Sequence, residues 1–187
     1  MTKTNMWKIV NKQEILRWSE KYYTDKEDHT DPTCEKELGD KLRASGELTK
    51  QEFMRLLEWK FSSRPGRLKR EKSLANKMQE SVIRETIKQA LSMDGEDARI
   101  RKLLDLKGVG NAVASVILTF YDPKNYGVFD IHVYDEMFGT NPKTRPKDMS
   151  KNPERYIRLL QTLRQMATEC GLDARTVEKA LFKKNVG

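Results

Sequence analysis

The chain has 187 residues, of which 37% are hydrophobic and 34% charged, enough for one sizeable core but with no run near the roughly 18 apolar residues of a membrane span. A net charge of +8, from 36 Lys and Arg against 28 Asp and Glu, means solubility and attraction to polyanions. Cys34, Cys170, His29 and His132 are too few and too scattered for a disulfide framework or a side-chain zinc or iron-sulfur site.

In chain order, Trp7, Val10, Ile15, Trp18 and Tyr22 recur at helical intervals, which predicts an amphipathic helix over residues 7 to 23 anchored by its tryptophans. Residues 24 to 40, polar, acidic and broken by Pro32, read as a loop before a short helix. Thr49 and Glu52 form a capping-box pattern, opening a helix that buries Phe53, Leu56, Leu57 and Phe61. Glu58, Trp59 and Lys60 share one turn of it. They either border a cleft or make a surface Glu and Lys beside a partly buried Trp, and the second is the expectation.

Residues 62 to 77 hold six basic side chains against one Glu. Arg64, Arg67, Lys69, Arg70 and Lys72 are a candidate patch for tracking a phosphate backbone, with a solvated face as the alternative. A helix over residues 79 to 92 places Val82, Ile83, Ile87, Ala90 and Leu91 on one core stripe, and Asp94 is the expected N-cap of the next, over residues 96 to 106.

Gly108-Val109-Gly110 then makes a tight turn between two helices. Its glycines permit positive φ and close approach of another backbone, and Val109 between them is expected to point inward. The first N–H groups of the following helix lack intrahelical partners, so they offer an anion site. Lys107, Gly108, Val109, Gly110 and Asn111 are therefore the candidate phosphate-binding residues, with an ordinary glycine-capped corner as the plain alternative. Val113, Ala114, Val116 and Ile117 supply the apolar face of that helix, which ends near Phe120 at the turn sequence YDPKNYG. Asp130 is expected at the N-terminus of a helix carrying Ile131, Val133, Tyr134, Met137 and Phe138. After a loop over residues 139 to 151, Asn152-Pro153 starts a helix with Tyr156, Leu160, Leu163 and Ala167 inward. Gly171 stops it, and Asp173 caps a last helix burying Val177, Ala180 and Leu181. No segment has a convincing period of two, so the fold class is all-α.

The stretch L-K-G-V-G-x-x-x-A-x-x-I-L, with Pro123 and Gly127 after it and F-D-I-H-V ending 20 positions beyond Gly110 at Asp130 and its neighbours, resembles the helix-hairpin-helix/GPD superfamily of DNA glycosylases. That superfamily includes endonuclease III and the adenine and 8-oxoguanine DNA glycosylases, and the resemblance covers about residues 96 to 138. It implies a single compact α-helical unit over residues 1 to 187 in two subdomains, 68 to 138 and 1 to 67 plus 139 to 187, with double-stranded DNA in the cleft between them. Asp130 takes the catalytic role, and Trp59, Lys60, Tyr126, Phe129 and His132 are candidates for the pocket of a flipped base. His132 either faces the cleft or sits satisfied in the core, and the core is the expectation.

Tyr121, Tyr134 and Phe138 are further aromatic candidates for stacking against a base. The resemblance also implies a monovalent cation at the hairpin; the chain departs from it in lacking the C-terminal cysteines, so no iron-sulfur cluster is expected, and the absence of a long apolar run predicts no membrane. A monomer in the cytoplasm with the nucleoid, or in the nucleus of a eukaryote, is expected. Bifunctional members carry a lysine two residues after the second glycine, where this chain has Ala112. A monofunctional glycosylase without lysine-dependent lyase activity follows, with a catalytically silent DNA- or RNA-binding module as the alternative.

Overall fold

The computed structural model describes residues 11 to 23 and 31 to 186, all helix and connecting turns with no strand among them. Trp7, Val10 and His29 lie outside the described residues. The first helix, α1 (Lys12–Glu20), is capped by Asn11 and runs into a short 3-10 turn, Lys21–Tyr23. Ile15 and Tyr22 are buried in it and Trp18 is half-buried, so the expected apolar face is present over its described part.

The next helix corrects the sequence reading. Where a loop and a short helix are expected, α2 spans Pro32–Ser45, capped by Asp31 with Pro at its first turn and ended by Gly46. Asp-Pro is the start signal, because proline's missing N–H costs nothing in a first turn. The acidic composition obscured it.

Helix α3 (Lys50–Phe61) begins with the expected capping box of Thr49 and Glu52 and is followed by α4 (Pro65–Asn76) and α5 (Glu80–Ser92). Ile83, Ile87, Ala90 and Leu91 are buried on α5, but Val82 is 45% exposed. It lies one position, about 100°, off the stripe. Helix α6 (Glu96–Leu104) is preceded not by an Asp94 cap but by Gly95 at φ 87°, with no side-chain cap.

After the glycine turn comes α7 (Asn111–Tyr121), then α8 (Ile131–Phe138), α9 (Pro153–Cys170) and α10 (Ala174–Val186). Nine of the residues of α7, from Asn111 to Phe120 with Ala112 left out, are buried. Even its polar stripe of Asn111, Ser115 and Thr119, spaced four apart, is buried, as suits a helix enclosed on all sides. Helices α2, α3, α6 and α9 surround it, while α10 packs on α1, α8 and α9.

One continuous apolar core runs from Ile15 to Leu181 through both expected subdomains. Asn152 caps α9 as expected, Gly171 ends it in the left-handed conformation, and Asp173 accepts the Thr176 N–H at the start of α10. Cys34 is buried and Cys170, at the end of α9, is half-buried. No helix among the described residues is long and apolar enough to cross a membrane.

Candidate functional site

A cavity of about 360 Å³ opens where residues 59 to 67 and 178 to 183 meet residues 112, 128 to 132 and 149 to 150. Those segments come from both of the residue ranges expected as subdomains. Its volume lies at the small-ligand end of ordinary pockets.

Asp130 stands on its wall as the N-cap of α8, where its Oδ1 accepts the His132 N–H at 2.8 Å. The Lys60 ammonium, from the C-terminal half of α3, lies 3.5 Å from Asp130 Oδ2, and the two side chains are only 12% and 13% exposed. Burial alone raises a carboxyl pKa. The Lys60 charge and the His132 N–H overcome it and hold Asp130 below its ordinary value. For Lys60 the balance runs the other way: burial pushes the ammonium down, and Asp130 offsets this only in part.

The structure sorts the expected base-pocket residues. Trp59, Lys60, Phe129 and His132 all line the cavity. Trp59 is buried, packed edge-on against Phe120, with its indole N–H unpartnered; of the expected surface turn at residues 58 to 60, Glu58 is exposed as expected, whereas Trp59 and Lys60 turn into the cavity. His132 is exposed at the cavity and not a core residue, because its place two residues into α8 turns it away from the buried stripe of Val133, Tyr134 and Met137. Tyr126 is elsewhere: it is buried with Arg164 over its ring and Arg99 at its hydroxyl.

The glycine turn adjoins the cavity through Ala112. Gly108 has φ +83°, and a Cβ there would meet the Glu71 carboxylate at 2.6 Å. Gly110 is extended and is needed for space: a Cβ would lie 2.5 Å from Ser150 Oγ and 2.7 Å from its carbonyl oxygen. Val109 is buried as expected, and Lys107 is exposed.

Asn111 is corrected from a phosphate ligand to a structural group. Its backbone N–H donates to Ser150 O at 2.7 Å and its amide to Met149 O and Asn152 O. The approach of residues 149 to 152 thus fills part of the anion site with this chain's own carbonyls.

The same segment bears on the expected cation. Lys151 Nζ lies 2.5 Å from Val109 O and 3.4 Å from Leu104 O. An ammonium already serves these outward carbonyls, so the turn does not fit a bound metal ion there.

The expected basic patch divides. Arg64 and Arg67 line the cavity, and Arg67 also stacks on Phe61. Lys72 pairs with Glu58, and Arg70 with the buried Glu71. Lys69 is exposed on α4, away from the cavity.

The sequence reading missed Glu178, Arg175 and Glu35. Glu178 lines the cavity, 1% exposed, accepts the Val128 N–H and pairs with Arg175, itself 2% exposed. Arg175 also binds Glu35 and stacks on Tyr22 and Trp59. Burial pushes Glu178 up despite that guanidinium, whereas Glu35 is held down to about 2, Arg175 and Lys179 outweighing burial. On α10 these charges look like an ordinary i,i+3 surface pair, and only tertiary packing buries them.

Comparison of the chain with protein-family models, with curated proteins and with solved structures finds no match.

Proposed function

We propose that the protein is a DNA glycosylase, which hydrolyses the N-glycosidic bond of a damaged or modified base flipped out of double-stranded DNA. The observation that carries this reading is Asp130: a carboxylate kept ionised by Lys60 on the wall of a cavity sized for one base, next to a two-glycine turn.

Breaking a glycosidic bond develops positive charge on the sugar. A fixed carboxylate in a water-poor site stabilises that charge and can orient water for attack. The base must leave the stack to reach it, and Trp59 and Phe129 supply the apolar wall. In this reading Lys107 and the helix-hairpin-helix turn hold a phosphate, with Gly108 and Gly110 supplying backbone and Val109, whose N–H is spent on Leu106 O, pinning the turn to the core. Arg64 and Arg67 at the cavity add further phosphate contacts, which position the strand without reading its sequence.

The test is a panel of lesion-containing duplexes incubated with wild type and Asp130→Asn and developed with hot alkali. Alkali-dependent cleavage by wild type, reduced at least a hundredfold in the variant, is expected. Salt-sensitive binding with no base released from any duplex would replace this reading with that of a silent nucleic-acid module.

A further inference from the structure

Asp130 acts on the sugar, so it does not decide which base the cavity takes. We propose that Glu178 is a specificity-determining residue, which selects a base that presents an N–H donor at its edge and rejects one whose donor is alkylated. This rests on reading the cavity as the site of a flipped base, and it goes further by naming the chemistry that is read there.

The Glu178 side chain is 1% exposed and lines the cavity. Its Oε2 is engaged, accepting the Val128 N–H at 3.3 Å and a hydrogen from Arg175 Nη1. Its Oε1 receives no donor among the described residues and is not sealed from solvent, so it opens on the cavity. The carboxylate is held in that orientation because Arg175 is itself clamped by Glu35 and stacked on Tyr22 and Trp59.

The result is a fixed acceptor that the described protein leaves unsatisfied. A buried acceptor without a donor is costly, so a ligand that supplies one is favoured and a ligand that blocks it is rejected. Sites built to bond an N–H discriminate far more strongly than an apolar pocket does against a missing methylene. Tyr22, Trp59, Phe129 and Phe182 line the same cavity, and aromatic faces suit a flat heteroaromatic ring. Asp130 and Lys60 are close enough to act on Glu178 electrostatically, so a base whose sugar lies at Asp130 brings its edge to the Glu178 carboxylate.

Glu178→Gln is isosteric, and the groups already bound fix its orientation. The Val128 N–H and Arg175 are both donors, so they keep the amide oxygen at the Oε2 position and turn the amide NH2 into the cavity. The acceptor there becomes a donor.

The probes are duplexes carrying one 2′-fluorinated nucleotide, whose fluorine disfavours positive charge on the sugar and blocks hydrolysis. They are compared in pairs: hypoxanthine with 1-methylhypoxanthine, uracil with 3-methyluracil, adenine with its N6-dimethyl form. Equilibrium binding is measured at mildly alkaline pH. In at least one pair, wild type should bind the N–H member roughly a hundredfold more tightly, and in Glu178→Gln that ratio should fall to about one or invert. Methylation weakens pairing and eases flipping, so duplex energetics alone would favour the methylated member. Simple steric exclusion of the methyl group would leave the ratio unchanged in the isosteric variant.

Glu178→Asp keeps the charge beside Arg175 but withdraws it from the cavity, and should also lower the ratio. Both variants are checked by thermal melting, and a ratio within a pair is not mimicked by partial unfolding. No discrimination by wild type in any pair, or the same ratio in wild type and both variants, overturns the proposal. Failure of wild type to bind any of the duplexes overturns it too. Base release from the unfluorinated duplexes is scored separately: discrimination without release sinks only the glycosylase reading, and release without discrimination sinks only this inference.

Discussion

Replacing Arg175 by Met tests whether the charged group beneath the cavity is held as described. The methionine keeps much of the aliphatic volume but removes the cation that pairs with Glu178 and Glu35, whose side chains are 1% and 15% exposed. Breaking a buried pair by removing one partner leaves an uncompensated charge and costs about 3–5 kcal/mol. Glu35 gives a second measure: a carboxyl at about 2 instead of its ordinary 4.5 is stabilised by roughly 3 kcal/mol at neutral pH, at about 1.4 kcal/mol per tenfold. The two figures describe one interaction and are not summed. Lys179, 3.6 Å from Glu35, retains part of it.

The sign follows from the folded-state values. Glu35 is depressed, so its contribution is complete above pH 4.5 and is lost as pH falls toward about 2. Glu178 is raised, and without Arg175 it rises further, so the variant gains relative stability as it protonates. Both effects shrink the deficit in acid. Urea unfolding followed by tryptophan fluorescence should therefore show a midpoint lower by roughly 2 M at pH 7, taking a slope of about 2 kcal/mol/M, and a clearly smaller loss at pH 4. A deficit under about 1 kcal/mol at pH 7, or the same deficit at both pH values, would refute the reasoning. Adding Glu178→Leu to Arg175→Met should recover part of the loss by removing the stranded charge.

Gly110→Ala should cost about 1–3 kcal/mol, since its methyl would meet Ser150 Oγ and the Ser150 carbonyl. Ser150→Ala should rescue only part of this, because the backbone oxygen stays, and an unchanged urea midpoint in Gly110→Ala would contradict the contact. Lys151→Met removes the ammonium from Val109 O and Leu104 O. Duplex affinity, compared in potassium and in tetramethylammonium at equal ionic strength, should then become cation-specific, whereas the wild type responds only to ionic strength. Equal cation specificity in both proteins would show that Lys151 does not fill that role.

What could be read from the sequence was governed by how local the causes are. The capping box at Thr49, the Asn152-Pro153 start and the Gly108 turn each depend on a few adjacent residues, so they stand where they are expected. Asp130 was also legible, since a helix cap is local and its distance from Gly110 matches a known pattern. Lys60 was a pocket candidate, but its pairing with Asp130 was not legible, because nothing within α3 says that α8 will bring a carboxylate to its amine. Asn111 failed for the same reason: the segment that consumes its hydrogen-bonding groups lies some forty residues downstream. Charged residues were the least legible of all. Arg175 and Glu178 have the spacing of a solvated helix face, and their burial against α2, α3 and the 3-10 turn is a property of the assembled chain.

Asp130 serves a helix cap and a buried ion pair through a single side chain. The oxygen that caps α8 by accepting the His132 N–H belongs to the same carboxyl group whose other oxygen faces Lys60. Asn and Ser cap helices about as well as Asp, whereas Ala forfeits about 1 kcal/mol. Asn or Ser in place of Asp130 would therefore keep α8 anchored but leave the Lys60 ammonium, only 12% exposed, without its carboxylate, so the position holds a carboxylate for the pair and not for the cap.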